Sequence, residues 1–180
     1  MKPLSPTELK RLHRSWRRKT DQRLAVILDG VQQPFNVGGI LRSAAAYGVE
    51  DFWLVPPTVD PEDKKVQITA KGCDRFLKIQ KIRTGTEAAE AARSNGYRVV
   101  AVELVDGAVP LFDSGLGSDP IALVFGHEER GVHRDTLRAV DLIAFLPLVG
   151  NIGSLNVGHT ATAALSEVRR QGWSHHDDGR

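Results

Sequence analysis

Short apolar runs alternate with helical patterns along most of this chain. Five runs rich in Val, Ile, Leu and Phe predict β-strands: LAVILD, DFWLV, RVVAVEL, IALVFG and LIAFLPL. Between them, the spacing of apolar residues predicts helices at about residues 39–47, 86–95 and 155–170. Strands that alternate with helices favour an α/β fold with a largely parallel sheet flanked by helices.

A separate helix is predicted at the N-terminus. Ser5-Pro6-Thr7-Glu8 combines a capping box with proline at the first helical position, which predicts a helix from Pro6 to Lys19. Residues 1–20 carry seven Lys or Arg side chains against a single acidic one, whereas the rest of the chain has a net negative formal charge. Basic residues concentrated in this way suit contact with the phosphates of RNA, and a solvated helix face is the alternative. The arginines predicted to contact RNA are Arg14, Arg17 and Arg18.

We therefore divide the chain into a basic helix at residues 1–22, an α/β domain at residues 23–172 and a tail at residues 173–180. No apolar run approaches the roughly 20 residues of a membrane span, and we expect a cytoplasmic protein with no membrane partner.

The single cysteine, Cys73, excludes an internal disulfide and a thiolate-rich zinc site, and is interpreted as a structural thiol. No metal is expected, although the tail contains four potential ligands, His175, His176, Asp177 and Asp178.

Three glycine-containing polar segments follow three of the predicted strands. They read PFNVGGILRSAAAYGV, VFGHEERGV and LPLVGNIGSLNVGH. In open α/β sheets ligands bind beyond the carboxyl ends of strands, glycine permits close backbone approach, and Asn, Arg, Glu and Ser can orient a polar ligand. The chain lacks a P-loop lysine, a complete dinucleotide-binding glycine motif and a G-x-S-x-G nucleophile elbow, which disfavours a Rossmann dehydrogenase or a serine hydrolase.

Together the three segments resemble the three motifs of the SpoU/TrmH family of RNA ribose 2′-O-methyltransferases, within the SPOUT superfamily. The resemblance implies an α/β fold with a C-terminal trefoil knot, S-adenosyl-L-methionine as cofactor, and a homodimer. This sequence differs from the residues usual in the family at three positions, Leu148, Gly158 and Ser166. The resemblance places Arg42 at the catalytic position, with the rest of the catalytic set formed by Asn36, Glu128, Ser154 and Asn156. The residues expected to contact the cofactor are Val102, Gly126, Leu146 and Leu155.

Methyl transfer to a ribose hydroxyl requires aligned reactants and an acceptor for the hydroxyl proton. A guanidinium has a pKa above about 12, so Arg42 is interpreted as a phosphate clamp or relay, and Glu128 as the other possible base.

The basic helix resembles that of tRNA-modifying members, which favours a guanosine of tRNA over rRNA as substrate. A non-catalytic RNA-binding protein is the alternative function. The third segment, LPLVGNIGSLNVGH, is interpreted as part of the cofactor site. The alternative is that it only begins an ordinary helix, with Ser154 as the N-cap.

Overall fold

The computed structural model describes residues 2–178, with side chains as far as Trp173. The described chain contains one parallel sheet, whose strands are β1 Leu24–Asp29, β2 Val49–Val55, β3 Lys78–Lys81, β4 Arg98–Val102, β5 Val109–Pro110, β6 Ile121–Gly126 and β7 Leu142–Phe145. The helices are α1 Pro6–Arg17, α2 Pro34–Ala46, α3 Lys64–Ala70, α4 Gly85–Ser94, α5 Arg134–Ala139 and α6 Val157–Asp178. Short 3₁₀ turns occur at Cys73–Phe76 and Leu111–Asp113.

The strands do not lie in the sheet in their order along the chain. Their spatial order is β3-β2-β1-β6-β4-β7-β5, and all the pairs are parallel. Two late strands are therefore inserted: β6 lies between β1 and β4, and β7 lies between β4 and β5. Both β1 and β6 are buried along their whole length, as expected for parallel strands that are covered on both faces.

Helices cover the two faces of the sheet with separate apolar clusters. One cluster includes Val37 and Leu41 of α2, Val66 of α3, and Leu165 and Val168 of α6. The other cluster is built on α4, whose buried alanines pack beside α5 and the opposite sheet face. The fold class predicted from the sequence, an α/β fold with a largely parallel sheet, is confirmed. The trefoil knot stays a prediction.

The sequence placed some helix ends wrongly. Helix α2 begins at Pro34 rather than near residue 39, which brings Asn36 into its first turn. Helix α6 begins at Val157 and continues to Asp178, past the predicted end near residue 170. The side chains of the potential metal ligands at residues 175–178 lie outside those that the structure describes. None of the described helices is long and apolar enough to span a membrane.

The N-terminal helix forms as its capping box predicts. The Ser5 amide donates to the Glu8 carboxylate at 2.7 Å, and the Glu8 amide donates to the Ser5 hydroxyl at 3.3 Å. None of the residues of α1 is buried. The helix meets the domain through Trp16, whose ring lies 4.8 Å from that of Trp173 on α6.

Candidate functional site

A chain of hydrogen bonds joins all three of the polar segments. The Asn36 amide group donates to Glu128 Oε1 at 2.9 Å, and Asn36 Oδ1 accepts from the Asn156 amide group at 2.9 Å. Asn36 lies in the first turn of α2, Glu128 follows β6 and Asn156 precedes α6. Residues more than ninety positions apart are thus brought together at the carboxyl end of the sheet. We call this set the polar link.

The two ends of the polar link cap helices. Glu128 accepts from the backbone amides of Gln32, at 3.1 Å, and Gln33, at 2.8 Å, and so caps α2, whose own N-cap side chain makes no capping bond. Asn156 Oδ1 accepts from the Gly158 amide at 2.9 Å at the start of α6. The alternative with Ser154 as N-cap is wrong, because Asn156 caps the helix and Ser154 lies in the exposed loop before it.

The surroundings of Glu128 keep it ionised. Its partial burial acts to raise the pKa, but hydrogen bonds from Asn36 and from the backbone of Gln32 and Gln33 outweigh this effect and lower the pKa below the ordinary glutamate value. A carboxylate with a lowered pKa and several donors already bound is a weak proton acceptor. Of the two roles left open by the sequence, the geometry favours Glu128 as the group that orients Asn36.

Arg42 lies apart from the polar link. It is six residues along α2 from Asn36, or about 9 Å along the helix axis. Its side chain is exposed and makes no hydrogen bond or ion pair with the residues that the structure describes. One turn before it, a Cβ atom at Gly39 would meet nothing within 4 Å, so the surface beside Arg42 is open. The guanidinium is therefore free to bind an incoming anion.

A cavity of about 220 Å³ lies beside the polar link, at the carboxyl ends of β4, β6 and β7. All the residues predicted to contact the cofactor line it, namely Val102, Gly126, Leu146 and Leu155. Ser154 and Glu128 line it as well, whereas Asn36, Asn156 and Arg42 do not. The structure thus separates the predicted residues into a cavity and a neighbouring surface.

The cavity is acidic, which the sequence analysis missed. Glu103, Glu128 and Glu129 line it, and among the described residues no lysine or arginine does. Glu103 directly follows β4, so the rule that ligands bind at the carboxyl ends of strands could have identified it. Its carboxylate accepts from the Val132 amide at 2.9 Å, which fixes it against the turn after β6. An acidic cavity favours a cationic ligand. We call it the acidic cavity.

The glycines around the acidic cavity serve two different purposes. A Cβ atom at Gly126 would overlap the Val132 nitrogen and the Gly131 oxygen, so this glycine permits the close packing of the following turn. A larger residue at Gly126 would therefore displace the backbone of this turn. At Gly153, in contrast, a Cβ atom would meet nothing within 4 Å, which leaves room for a ligand to approach the backbone.

The arginines predicted to contact RNA lie on α1 and its C-cap. Arg14, Arg17 and Arg18 are all exposed, and their spacing of three and four residues places them on the same side of the helix. Leu9, Leu12 and Trp16 form the opposite side. The basic side is therefore directed away from the contact that Trp16 makes with Trp173.

The chain is similar in sequence to RNA methyltransferases. A model of the SpoU rRNA methylase family matches residues 23–166. A Synechocystis protein described as an uncharacterized tRNA/rRNA methyltransferase is 31% identical over 84% of this chain, which spans only 55% of that relative's length. The tRNA (guanosine(18)-2′-O)-methyltransferase of Escherichia coli K12 is 27% identical, over 93% of this chain and 72% of its own.

Solved structures are similar as well. The crystal structure of an AdoMet-bound rRNA methyltransferase from Sinorhizobium meliloti superposes with a TM-score of 0.76 at 30% identity, covering 82% of this chain and 56% of that one. A TrmH/SpoU tRNA-modifying enzyme from A. aeolicus gives a TM-score of 0.76 over 96% of this chain and 87% of its own. At 24% identity, the latter is evidence for the fold alone.

Proposed function

Because this chain belongs to the SpoU rRNA methylase family, we propose that it transfers a methyl group from S-adenosyl-L-methionine to a ribose 2′-hydroxyl of RNA. The proposed substrate is a guanosine of tRNA, with rRNA as the alternative. The basic helix α1 and the similarity to the E. coli tRNA guanosine enzyme over 93% of this chain support tRNA. A cytoplasmic location and the absence of a bound metal belong to the same proposal.

One observation carries the proposal: the acidic cavity lies directly beside the polar link. S-adenosyl-L-methionine bears a sulfonium, an ammonium and one carboxylate, so it has a net positive charge. The three glutamates of the cavity suit that charge and the hydroxyl groups of the cofactor's ribose. Leu146, Leu148 and Leu155 offer the apolar surface that an adenine needs. The residues present therefore fit this cofactor.

The residues around the acidic cavity position the RNA and allow the hydroxyl proton to leave. When bound, the cofactor would supply an activated methyl group, so the chain has to position the ribose hydroxyl and allow its proton to leave. Arg42 is exposed and unpaired among the described residues, and it binds an RNA phosphate near the cavity, through which the hydroxyl proton passes to solvent. The polar link holds α2, and with it Arg42, in a fixed position relative to the cavity.

Calorimetric titration with S-adenosyl-L-methionine, followed by transfer of a labelled methyl group to purified tRNA and to rRNA, tests the proposal. We expect stoichiometric cofactor binding and ribose methylation of tRNA. Binding without methylation of either RNA would contradict the enzymatic function. Failure to bind the cofactor, combined with tight RNA binding, would favour the non-catalytic RNA-binding alternative.

Neutralising the basic side of α1 is expected to weaken RNA binding without slowing the chemical step. The variant Arg14→Gln/Arg17→Gln/Arg18→Gln should lower the logarithmic salt slope of RNA affinity by about 0.7–0.9 for each phosphate that the helix no longer binds. Single-turnover rates at saturating RNA should recover to those of the unmodified protein, because the helix lies outside the acidic cavity. An unchanged salt slope would identify α1 as a solvated helix face. Lys64→Gln, at an exposed position of α3, is the control.

A homodimer is part of the proposed function. The loop before α6 exposes several apolar side chains, those of Leu148, Val149, Ile152 and Leu155, and α6 continues this surface with exposed Thr162 and Ala163. A second copy of the chain is the proposed partner, because exposed apolar surface next to an active site is stabilised by association. Sedimentation velocity at micromolar concentration should show a dimer, and a stable, active monomer would contradict this assignment.

A further inference from the structure

A second cavity, of about 590 Å³, opens on the other side of the turn that follows β6. It lies at the carboxyl ends of β1, β2 and β6, and His127 and Gly131 of the turn line both cavities. Strands β1 and β6 are neighbours, but β1 leads to α2 on one face of the sheet and β6 leads to α5 on the other. Open α/β sheets bind ligands at such a reversal.

The charge of the second cavity is opposite to that of the acidic cavity. Arg83, Arg130 and Arg134 line it. Arg83 is paired with Glu87 on α4, but the side chains of Arg130 and Arg134 make no hydrogen bond or ion pair with any described residue. Two unpaired guanidinium groups at one cavity are suited to a phosphate, which accepts paired hydrogen bonds from arginine. We call this the basic cavity.

A buried carboxylate lies in the same cavity. Asp29, at the end of β1, is only 7% exposed. Its Oδ2 accepts from the His133 amide at 3.0 Å, while Oδ1 makes no hydrogen bond to a described residue. Asp135 also lines the cavity, but Arg138 pairs with it at 3.2 Å. Because Asp29 lines the cavity and its second oxygen accepts no hydrogen bond from a described residue, that oxygen can accept one from an N–H group of a ligand.

The remaining wall of the basic cavity is apolar. Val55, Pro56, Pro57 and Val132 line it, and both prolines are exposed to the cavity and solvent. Flat apolar surface suits the face of a nucleobase. The volume also lies in the range, about 300–1,000 Å³, of cavities that bind small organic ligands. The cavity therefore combines separate partners for a phosphate, for N–H donors and for an aromatic ring.

We propose that the basic cavity binds a second nucleotide of the RNA substrate, distinct from the one that is methylated. Its phosphate binds Arg130 and Arg134, and the exocyclic amino group of its base donates to Asp29. The cavity therefore prefers cytosine, adenine or guanine over uracil, which carries a carbonyl oxygen where cytosine carries the amino group. This inference rests on the proposed function, because RNA is what brings such a nucleotide to the turn that holds Glu128.

Binding of CMP and UMP to the whole protein tests the inference directly, with backbone amide shifts of Thr84 and Gly131 reporting occupancy. We expect CMP to bind roughly tenfold more tightly than UMP. In Asp29→Asn, one oxygen still accepts from the His133 amide, while an NH₂ group faces the base, so the preference should change to UMP. Equal binding of both nucleotides in the unmodified protein, or an unchanged preference in this variant, would overturn the assignment of Asp29.

The phosphate contacts are tested by Arg130→Gln/Arg134→Gln, with Arg75→Gln on the opposite side of the sheet as the control. Both arginines are exposed, so thermal melting should be unchanged. The double variant should bind CMP at least about tenfold more weakly and raise the KM for RNA by a similar factor, with kcat and cofactor affinity retained. An unchanged CMP affinity would overturn the inference.

The mononucleotide titrations need no methyl transfer, which separates the two possible failures. A protein that binds CMP through Asp29 but methylates no RNA would contradict the proposed function and leave the basic cavity as a nucleotide site. A protein that methylates RNA normally but shows no CMP preference would retain the proposed function and lose the second nucleotide.

Discussion

Replacing Arg42 by alanine is expected to slow methyl transfer by about 10²–10⁴-fold at saturating RNA and cofactor, the range seen when a positioned catalytic or charge-stabilising group is removed. Cofactor affinity should change little, because Arg42 does not line the acidic cavity. Stability should also change little, because the side chain is exposed and unpaired among the described residues. Single-turnover kinetics with saturating RNA measure the chemical step.

Arg42→Lys separates two roles of the side chain. A lysine keeps the positive charge but cannot bind a phosphate with two parallel hydrogen bonds, so it should restore RNA affinity more than the single-turnover rate. Lys64→Ala, at an exposed position of α3, is the control for loss of a surface cation. A near-normal single-turnover rate in Arg42→Ala would show that the catalytic assignment is wrong.

The variant Asn36→Asp is expected to lower the stability of the protein as well as its activity. It places a second carboxylate at hydrogen-bond distance from Glu128, where the native amide donates at 2.9 Å. Loss of that bond and repulsion between like charges should together cost about 2–4 kcal/mol at pH 7. For a chain of this length, each kcal/mol lowers Tm by about 2–4 °C, so differential scanning calorimetry can measure the change.

The dependence of this effect on pH identifies its cause. In the native protein the pKa of Glu128 is lowered, so its contribution to stability is complete above the ordinary glutamate pKa and is lost as the pH falls through the lowered value. In the variant, a pair of carboxyl groups that shares one proton becomes less repulsive as the pH falls. The difference in Tm should therefore narrow at acidic pH. A constant difference, or an equal loss in the exposed Asn95→Asp control, would contradict an electrostatic origin.

The sequence predicted the location of the site better than its internal contacts. Val102, Gly126, Leu146 and Leu155 were each identified, and each lines the acidic cavity. All four were identified through the motif resemblance. Val102, Gly126 and Leu146 also obey a local rule, because they end or directly follow parallel strands, whose carboxyl ends meet at one edge of the sheet. The same rule applies to Glu103 and Asp29, which end or follow strands that were correctly predicted but which belong to none of the three motifs.

The hydrogen bonds of the site could not be predicted in the same way. Helix α2 begins at Pro34 because Glu128, which is distant in sequence, accepts from the amides that precede it. Asn156 rather than Ser154 caps α6, a choice that depends on the position of Asn36. Strand β3, with the sequence KIQK, has too few apolar residues to be recognised, and it forms because β2 offers a free edge. Each of these features depends on tertiary contacts.

The insertion of β6 between β1 and β4 has a consequence for how the chain acquires its structure. During synthesis, β1 and β4 leave the ribosome well before residues 121–126, so β1 has no neighbour on that side until β6 is made. An exposed edge of a largely apolar strand such as β1 is prone to incorrect pairing and aggregation. Pairing over such sequence separations is also slow, because the entropy of loop closure is lost before the contacts form. Newly made chains should therefore be most prone to aggregation until residues 121–126 have been made and β6 has paired with β1.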